Sequence, residues 1–312
     1  GEPIGALVVQ SGRKARFEPG EVSLLRGLAA LAVVTLHRAG LIDLLRQKMA
    51  ALEAAHEGLA QKERMERELE LARAVQQRML PRAFPQVPGY EFASTYRPAR
   101  HVGGDFYDAF VIDDDHFAVA VGDVSDKGMP AALYMALTRS LLRAEGARVC
   151  SPRETLARVN QLLLELGERD MFVTVFYGVV ERSSGLMTYC RAGHDRPFLL
   201  RNGVVDELHG EGMALGVVGA GKLTLADETV QLAPGDRLLL YSDGLSDVQS
   251  PAGEFFEKER LAALVAAQVA AQVAGQAAAP GELCRTVFEA LSDFQGEAAQ
   301  FDDMALLVLG VM

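Results

Sequence analysis

The chain has 312 residues, of which 49% are hydrophobic and 23% charged, and its formal net charge is −11. This is a globular composition, long enough for one large domain plus an accessory segment. It excludes a disordered chain, and the acidic balance argues against nucleic acid as a partner, because phosphate backbones need clustered Lys and Arg.

The predicted elements begin with a buried strand over residues 4–10, IGALVVQ, and a helix opened by Pro19-Gly20-Glu21 with apolar positions Leu24, Leu25, Leu28, Leu31 and Val34. This stretch resembles the C-terminal end of a GAF sensor domain, too short to enclose a ligand pocket. The apolar run Gly27 to Leu36 is shorter than a bilayer needs, and no signal-peptide pattern is present, so no membrane span is expected. From 41 to 80 a helix carries Ile42, Leu45, Met49, Leu52, His56 and Leu59 in alternating steps of three and four, a coiled-coil seam that calls for a second copy and predicts a homodimer. Beyond Leu59 the rhythm continues through Met65, Leu69, Ala72, Gln76 and Met79 with one extra step of three near Lys62. A single solvated helix is the alternative. Pro81, Pro85 and Pro88 end it, giving a partition into a partial GAF-like segment at 1–40, a coiled-coil linker at 41–81 and a catalytic domain at 82–312.

After Pro88, short apolar runs read as strands: Phe117 to Val121, Phe172 to Val180, Leu186 to Cys190, Phe198 to Leu200, Arg237 to Tyr241 and Ala305 to Val311. Helical patterns occupy 129–145, 152–167 and 258–294, with an Ala-rich surface helix over Ala262 to Ala279. Strands and helices mixed without a βα repeat predict an α+β sandwich. Cys150, Cys190 and Cys284 are odd in number and widely spaced, which indicates neither a disulfide framework nor a zinc site and suits a reducing cytoplasm.

Four acidic motifs stand at strand ends or turns: His101-Val102-Gly103-Gly104-Asp105-Phe106-Tyr107-Asp108, Val121-Gly122-Asp123-Val124-Ser125-Asp126-Lys127-Gly128, Tyr241-Ser242-Asp243-Gly244 and Phe301-Asp302-Asp303-Met304. An ionised Asp at the mouth of a buried strand is costly unless it is paired or binds a metal. Only Lys127 offers a cation within these segments, so metal ions are the better partners. Oxygen-only ligands favour Mg²⁺, Mn²⁺ or Ca²⁺ over zinc. Singly, each motif fits an ordinary turn; together and in this order they carry a signal.

These segments, with LELARAVQQRMLP, RAGHDRPFLL and PGDRLLLYSDGLSD, resemble the PPM-type metal-dependent protein serine/threonine phosphatases over about residues 66–312, in the SpoIIE/RsbU-like bacterial branch of sporulation and general-stress enzymes. The resemblance implies an αββα sandwich of two antiparallel sheets around two divalent cations, Mn²⁺ or Mg²⁺. Asp123 bridges the ions, the carbonyl of Val124 and the waters held by Asp105 complete the first, and Asp243 and Asp302 complete the second. A metal-activated water then attacks phosphoserine in line without a protein nucleophile. The implied substrate is a phosphorylated anti-sigma-factor antagonist of the STAS type.

Departures from the family pattern bear on the chemistry. Larger relatives carry a histidine two residues after the bridging Asp as general acid; here that residue is Ser125, so leaving-group protonation is unassigned. His194 in Ala192-Gly193-His194 is the substitute by residue type, although a histidine bonded to backbone in a turn is the stronger reading. Arg97 and Arg100 are candidates for the substrate phosphate. The usual Thr after Asp-Asp-Met is Ala305. Two rivals remain for comparison: a diguanylate cyclase, rejected because Gly103-Gly104-Asp105-Phe106 lacks the required Glu, and a noncatalytic phosphatase-like scaffold.

Overall fold

The computed structural model describes residues 5–10, 12, 17–167, 170–270 and 279–312. The chain divides into two compact units, Gly1–Glu68 and Leu69–Met312. In the first, residues 5–10 form no strand and are exposed, which corrects the buried strand expected there; residue 4 lies outside the described residues. A strand needs a pairing edge, and the described residues of this unit offer a single helix. That helix, α1 (Pro19–Met79), runs without a break through the stretch divided above into sensor remnant and linker. Its seam residues Leu45, Met49, Leu52 and Leu59 are exposed by 57–72%. It also contains an unburied 18-residue stretch of mean hydropathy 1.7 with no more than two charged residues, long and apolar enough by length and composition to cross a membrane. The uncharged run Gly27 to Leu36 on which no span is expected lies within this helix.

The second unit begins with the last turns of α1, and its described residues hold ten strands in two antiparallel sheets. One sheet orders β1 (Tyr90–Arg97), β10 (Met304–Val311), β9 (Arg237–Tyr241), β6 (Phe198–Arg201) and β7 (Val204–Glu207). The other orders β2 (Phe106–Val111), β3 (His116–Val124), β4 (Val173–Glu181), β5 (Leu186–Ala192) and β8 (Asp227–Gln231). Helices α4 (Lys258–Ala270) and α5 (Pro280–Gln295) cover the first sheet, while α2 (Met129–Gly146) and α3 (Pro152–Leu166) cover the second. The layers are α, β, β, α, as expected. The helical pattern at 258–294 resolves into two described helices, and residues 271–278, including much of the Ala-rich stretch, lie outside the description.

Central strands read as unbroken apolar runs because both faces are covered: every residue of β10, MALLVLGV, is buried, between the partner sheet and α5. Edge strands expose residues instead; β8, DETVQ, is almost wholly exposed. The polar edges β1, β7 and β8 therefore escaped the strand reading, as did β2, interrupted by Asp108. Helix starts follow local chemistry. Ser151 accepts the Glu154 N–H at 3.3 Å with Pro152 in the first turn of α3.

Candidate metal centre

Strand register gathers the acids. Phe106 pairs with Gly122 in the β2–β3 ladder, so Asp105, just before β2, sits beside Asp123, at the end of β3. Tyr241 pairs with Leu306 in the β9–β10 ladder, which brings Asp243, two residues past β9, next to Asp302 and Asp303, just before β10. Each sheet thus delivers acids to the same end of the sandwich. The carboxyl groups of Asp105 and Asp123 lie within hydrogen-bonding reach of each other. Ser242 ties the sheets together: its hydroxyl donates to Asp105 Oδ2, and its Oγ accepts the Ala305 N–H at 3.0 Å.

A second set of contacts shapes the Asp105 loop. Asp303 accepts the N–H groups of Ala99 and Gly104, each at 2.7 Å. Gly103 is required by close approach, since a Cβ there would overlap Asp303 Oδ2 and Tyr96 Oη at 2.3 Å. Gly244 is required likewise, because a Cβ would fall 1.8 Å from the Asp303 carbonyl oxygen. From α1, the buried Gln76 amide donates to the Gly103 carbonyl at 2.6 Å and accepts the Gly103 N–H at 3.1 Å. The Val124 carbonyl oxygen faces the same loop, 3.0 Å from where a Cβ on Gly104 would stand.

The profile of stage II sporulation protein E (SpoIIE) matches residues 113–312. The chain belongs to the SpoIIE family of PP2C-type protein phosphatases. It is 31% identical over 270 residues to protein IcfG of Synechocystis, covering 78% of this chain and 41% of that protein. It is 27% identical over 244 residues to phosphoserine phosphatase RsbU of Bacillus subtilis, covering 78% of this chain and 69% of RsbU. The chain therefore spans less than half of one curated relative and about two thirds of the other. Among solved structures, the SiaA-PP2C domain of Pseudomonas aeruginosa superposes with a TM-score of 0.70 at 22% identity, over 80% of this chain and 98% of that domain.

The donor set of this SpoIIE-family centre fits hard divalent cations. Burial, then the charge of Asp123, holds Asp105 well above the usual carboxylate range. Burial pushes Asp123 up to about 6, with Asp302 and Asp303 adding to it and the bond from Asp105 opposing. Burial raises Asp243 to about 7, aided by Asp123, Asp195 and Asp302. Among the ion pairs within the described residues, only Lys127 Nζ–Asp302 Oδ2, at 2.8 Å, reaches this group. Lys127 also donates to the Phe301 carbonyl at 2.8 Å and lies over that ring. A cluster of buried and half-buried carboxylates that offers only oxygen, with a single lysine paired to one of them, suits Mg²⁺ or Mn²⁺.

The other expected residues separate. His194 is buried, its Nδ1 2.8 Å from the Thr174 hydroxyl and its Nε2 3.1 Å from the Tyr241 carbonyl. With Nε2–H donating to that carbonyl, Nδ1 accepts from Thr174. Burial lowers its pKa to about 4, so it is neutral and structural. Arg97 donates to Ser292 Oγ at 3.1 Å and lies over the Phe288 ring, so its guanidinium is engaged by α5. Arg100 is exposed, with Nη1 3.8 Å from the Cβ position on Gly128, at the start of α2. At Ala305 the backbone N–H is bonded by Ser242 Oγ, whose hydroxyl also donates to Asp105. Sequence reasoning passed over Ser242, Asp303 and Gln76, and also Asp195 and Asp247, whose charges act on Asp243. The first two stood inside quoted motifs, and their fixed position beside an acid was the available signal. Gln76 gave a weaker one, a polar residue on a seam otherwise apolar.

Proposed function

We propose that the chain hydrolyses phosphoserine or phosphothreonine on a protein substrate with two Mn²⁺ or Mg²⁺ ions. Asp123 would bridge them, with Asp105, the Val124 carbonyl, Asp243 and Asp302 completing the set. The observation that carries this reading is the delivery of acids from both sheets to one end, with Asp105 bonded to Asp123 and to Ser242. Two such ions supply hydroxide near neutral pH and neutralise phosphoryl oxygens. The residues of the chain do the rest. Asp303 and Gln76 hold the Asp105 loop in place, and the Ser242 hydroxyl fixes one oxygen of Asp105. Arg100, exposed beside Gly128 at the start of α2 and not engaged as Arg97 is by Ser292 and Phe288, would be the one to meet the substrate phosphate. His194, neutral and bonded on both nitrogens, is not the general acid.

Membership of the sporulation and general-stress branch supports an anti-sigma-factor antagonist as the substrate, and the three free cysteines suit catalysis in the cytoplasm. The exposed seam of α1 supports dimerisation as a coiled coil, and a change in its packing would reach the Asp105 loop through Gln76. Leu45→Glu with Leu52→Glu is expected to shift the dimer toward monomer and alter turnover; unchanged mass and activity would end that part of the reading. Release of phosphate from a phosphoserine protein should require Mn²⁺ and be lost in Asp123→Asn. A chain that shows no turnover with any divalent cation would instead be the scaffold considered above.

A further inference from the structure

We propose that Asp113, His116 and Cys150 form a second metal site, for a borderline or soft divalent cation such as Zn²⁺, at the end of the β2–β3 hairpin remote from the carboxylate centre. A carboxylate oxygen of Asp113, a ring nitrogen of His116 and the Cys150 sulfur all lie within 4.8 Å of one another. Asp113 belongs to the turn between β2 and β3, His116 opens β3, and Cys150 lies in the connection between α2 and α3. The six residues of β2, at about 3.3 Å each, set this group about 20 Å from Asp105.

The three donors differ in kind from those of the main centre. A thiolate and an imidazole select zinc-like ions, whereas oxygen alone selects Mg²⁺ or Mn²⁺. The carboxylate is already oriented: Asp113 Oδ1 accepts the N–H groups of Asp115 at 2.9 Å and His116 at 2.8 Å. His116 Nδ1 stands 2.9 and 3.0 Å from the two Asp113 oxygens, so the ring is fixed as well. Asp114 and Asp115 flank the group and add negative charge. On binding, a sulfur–metal bond replaces the S–H bond and a nitrogen–metal bond replaces the Nδ1–H that His116 shares with Asp113; the thiol proton leaves to solvent and the ring proton moves to Nε2 or to solvent, with no change of oxidation state. Three protein ligands leave the fourth tetrahedral position to water. Sequence spacing hid this group, because its one cysteine lies 34 residues beyond the histidine and forms no CxxC pair.

Co²⁺ is the direct probe, since only a thiolate ligand gives a sulfur-to-cobalt charge-transfer band in the near ultraviolet. The full chain, kept reduced and with Mg²⁺ in excess to occupy the carboxylate centre, should develop that band to a plateau as Co²⁺ is added and lose it when Zn²⁺ is added. Cys150→Ser should abolish the band, and His116→Gln should weaken Co²⁺ binding about 10- to 100-fold. Asp123→Asn, altered only in the other centre, should keep it. Thermal unfolding of each variant confirms that it is folded, which the exposure of Asp113 and Cys150 favours. Absence of the band in the unaltered chain, or its persistence in Cys150→Ser, overturns the proposal and leaves the phosphatase reading intact.

Discussion

Asp105 and Asp108 lie three residues apart at the start of one hairpin, and both are buried, at 1% and 2% exposure. Asp108 faces α2 and is neutralised there. Arg139 approaches its Oδ2 at 2.8 Å, and Arg143 donates to both oxygens at 2.8 and 3.1 Å. Asp105 points to the mouth of the sandwich and meets Ser242 and Asp123 instead of a guanidinium. Strand alternation separates the two faces. One buried acid is satisfied by the protein itself and serves the fold. The other meets no guanidinium, and it is the one that the proposed metal centre would use.

The sharpest way to break the comparison is to neutralise each side in turn. Asp123→Asn is expected to lower Mn²⁺-dependent turnover by at least about 10³-fold, because on the proposed reading it would remove the charge that bridges the two ions. Its folded content by circular dichroism should be unchanged. An Asn variant with near-normal turnover would remove Asp123 from the centre.

The metal-free protein gives the next effect, in pH. Asp123 and Asp243 have folded pKa values of about 6 and about 7, above the ordinary 3.8. The folded state therefore holds protons that the unfolded chain releases, and this contribution is full below about pH 4 and is lost as pH rises through 6 and 7. His194 acts with the opposite sign, losing stability as pH falls from 6.5 toward its folded value of about 4. The chelated protein should unfold several degrees lower at pH 8 than at pH 6, and Mn²⁺ should restore more at pH 8. A double variant, Asp123→Asn with Asp243→Asn, should lose most of that slope; a slope that is unchanged would assign it elsewhere.

At Asp108 the expected result is the mirror image. Asp108→Ala leaves Arg139 and Arg143 without their partner, and Arg139 is only 15% exposed. The expected cost is about 3 kcal/mol, at the low end for a broken buried pair because Arg143 is half exposed. Urea denaturation measures it. Turnover per folded molecule should stay within about two-fold, on the argument that Asp108 touches neither substrate nor metal; loss of turnover without loss of stability would dissolve the distinction between the two acids.

Sequence pattern made the buried frame and the acids legible for different reasons. Arg237 to Tyr241 was read at its observed bounds, and the Ala305 to Val311 run within one residue, because strands covered on both faces have unbroken apolar sequences. Asp105, Asp123, Asp243 and Asp302 stood out because acid beside apolar strand is expensive. Lost from view was whatever depended on two distant segments meeting: that Arg139 and Arg143 serve Asp108, that Ser242 bonds Asp105, and that Arg97 is held by Ser292. The failure at residues 5–10 has the complementary cause. An apolar hexamer has strand propensity, but a strand exists only where an edge is available to pair with it.

Gln76 tests how closely the Asp105 side of the comparison depends on its supports. Its amide satisfies both polar groups of the Gly103 peptide, two residues before Asp105, while its own side chain is 4% exposed. Gln76→Ala leaves a buried N–H and carbonyl unsatisfied, a loss of about 1–2 kcal/mol if the loop stays in place. The loop can relieve that cost by shifting, and Asp105 then moves with it. The expected signature is a several-fold rise in the Mn²⁺ concentration for half-maximal activity, with turnover at saturating Mn²⁺ nearly retained. Gln76→Glu sharpens the test, since it keeps an acceptor for the Gly103 N–H but sets a negative charge against the Gly103 carbonyl. It should raise the Mn²⁺ requirement further than Ala does. If both variants lose stability while the Mn²⁺ requirement stays fixed, Gln76 supports only the fold, and its role belongs with that of Asp108.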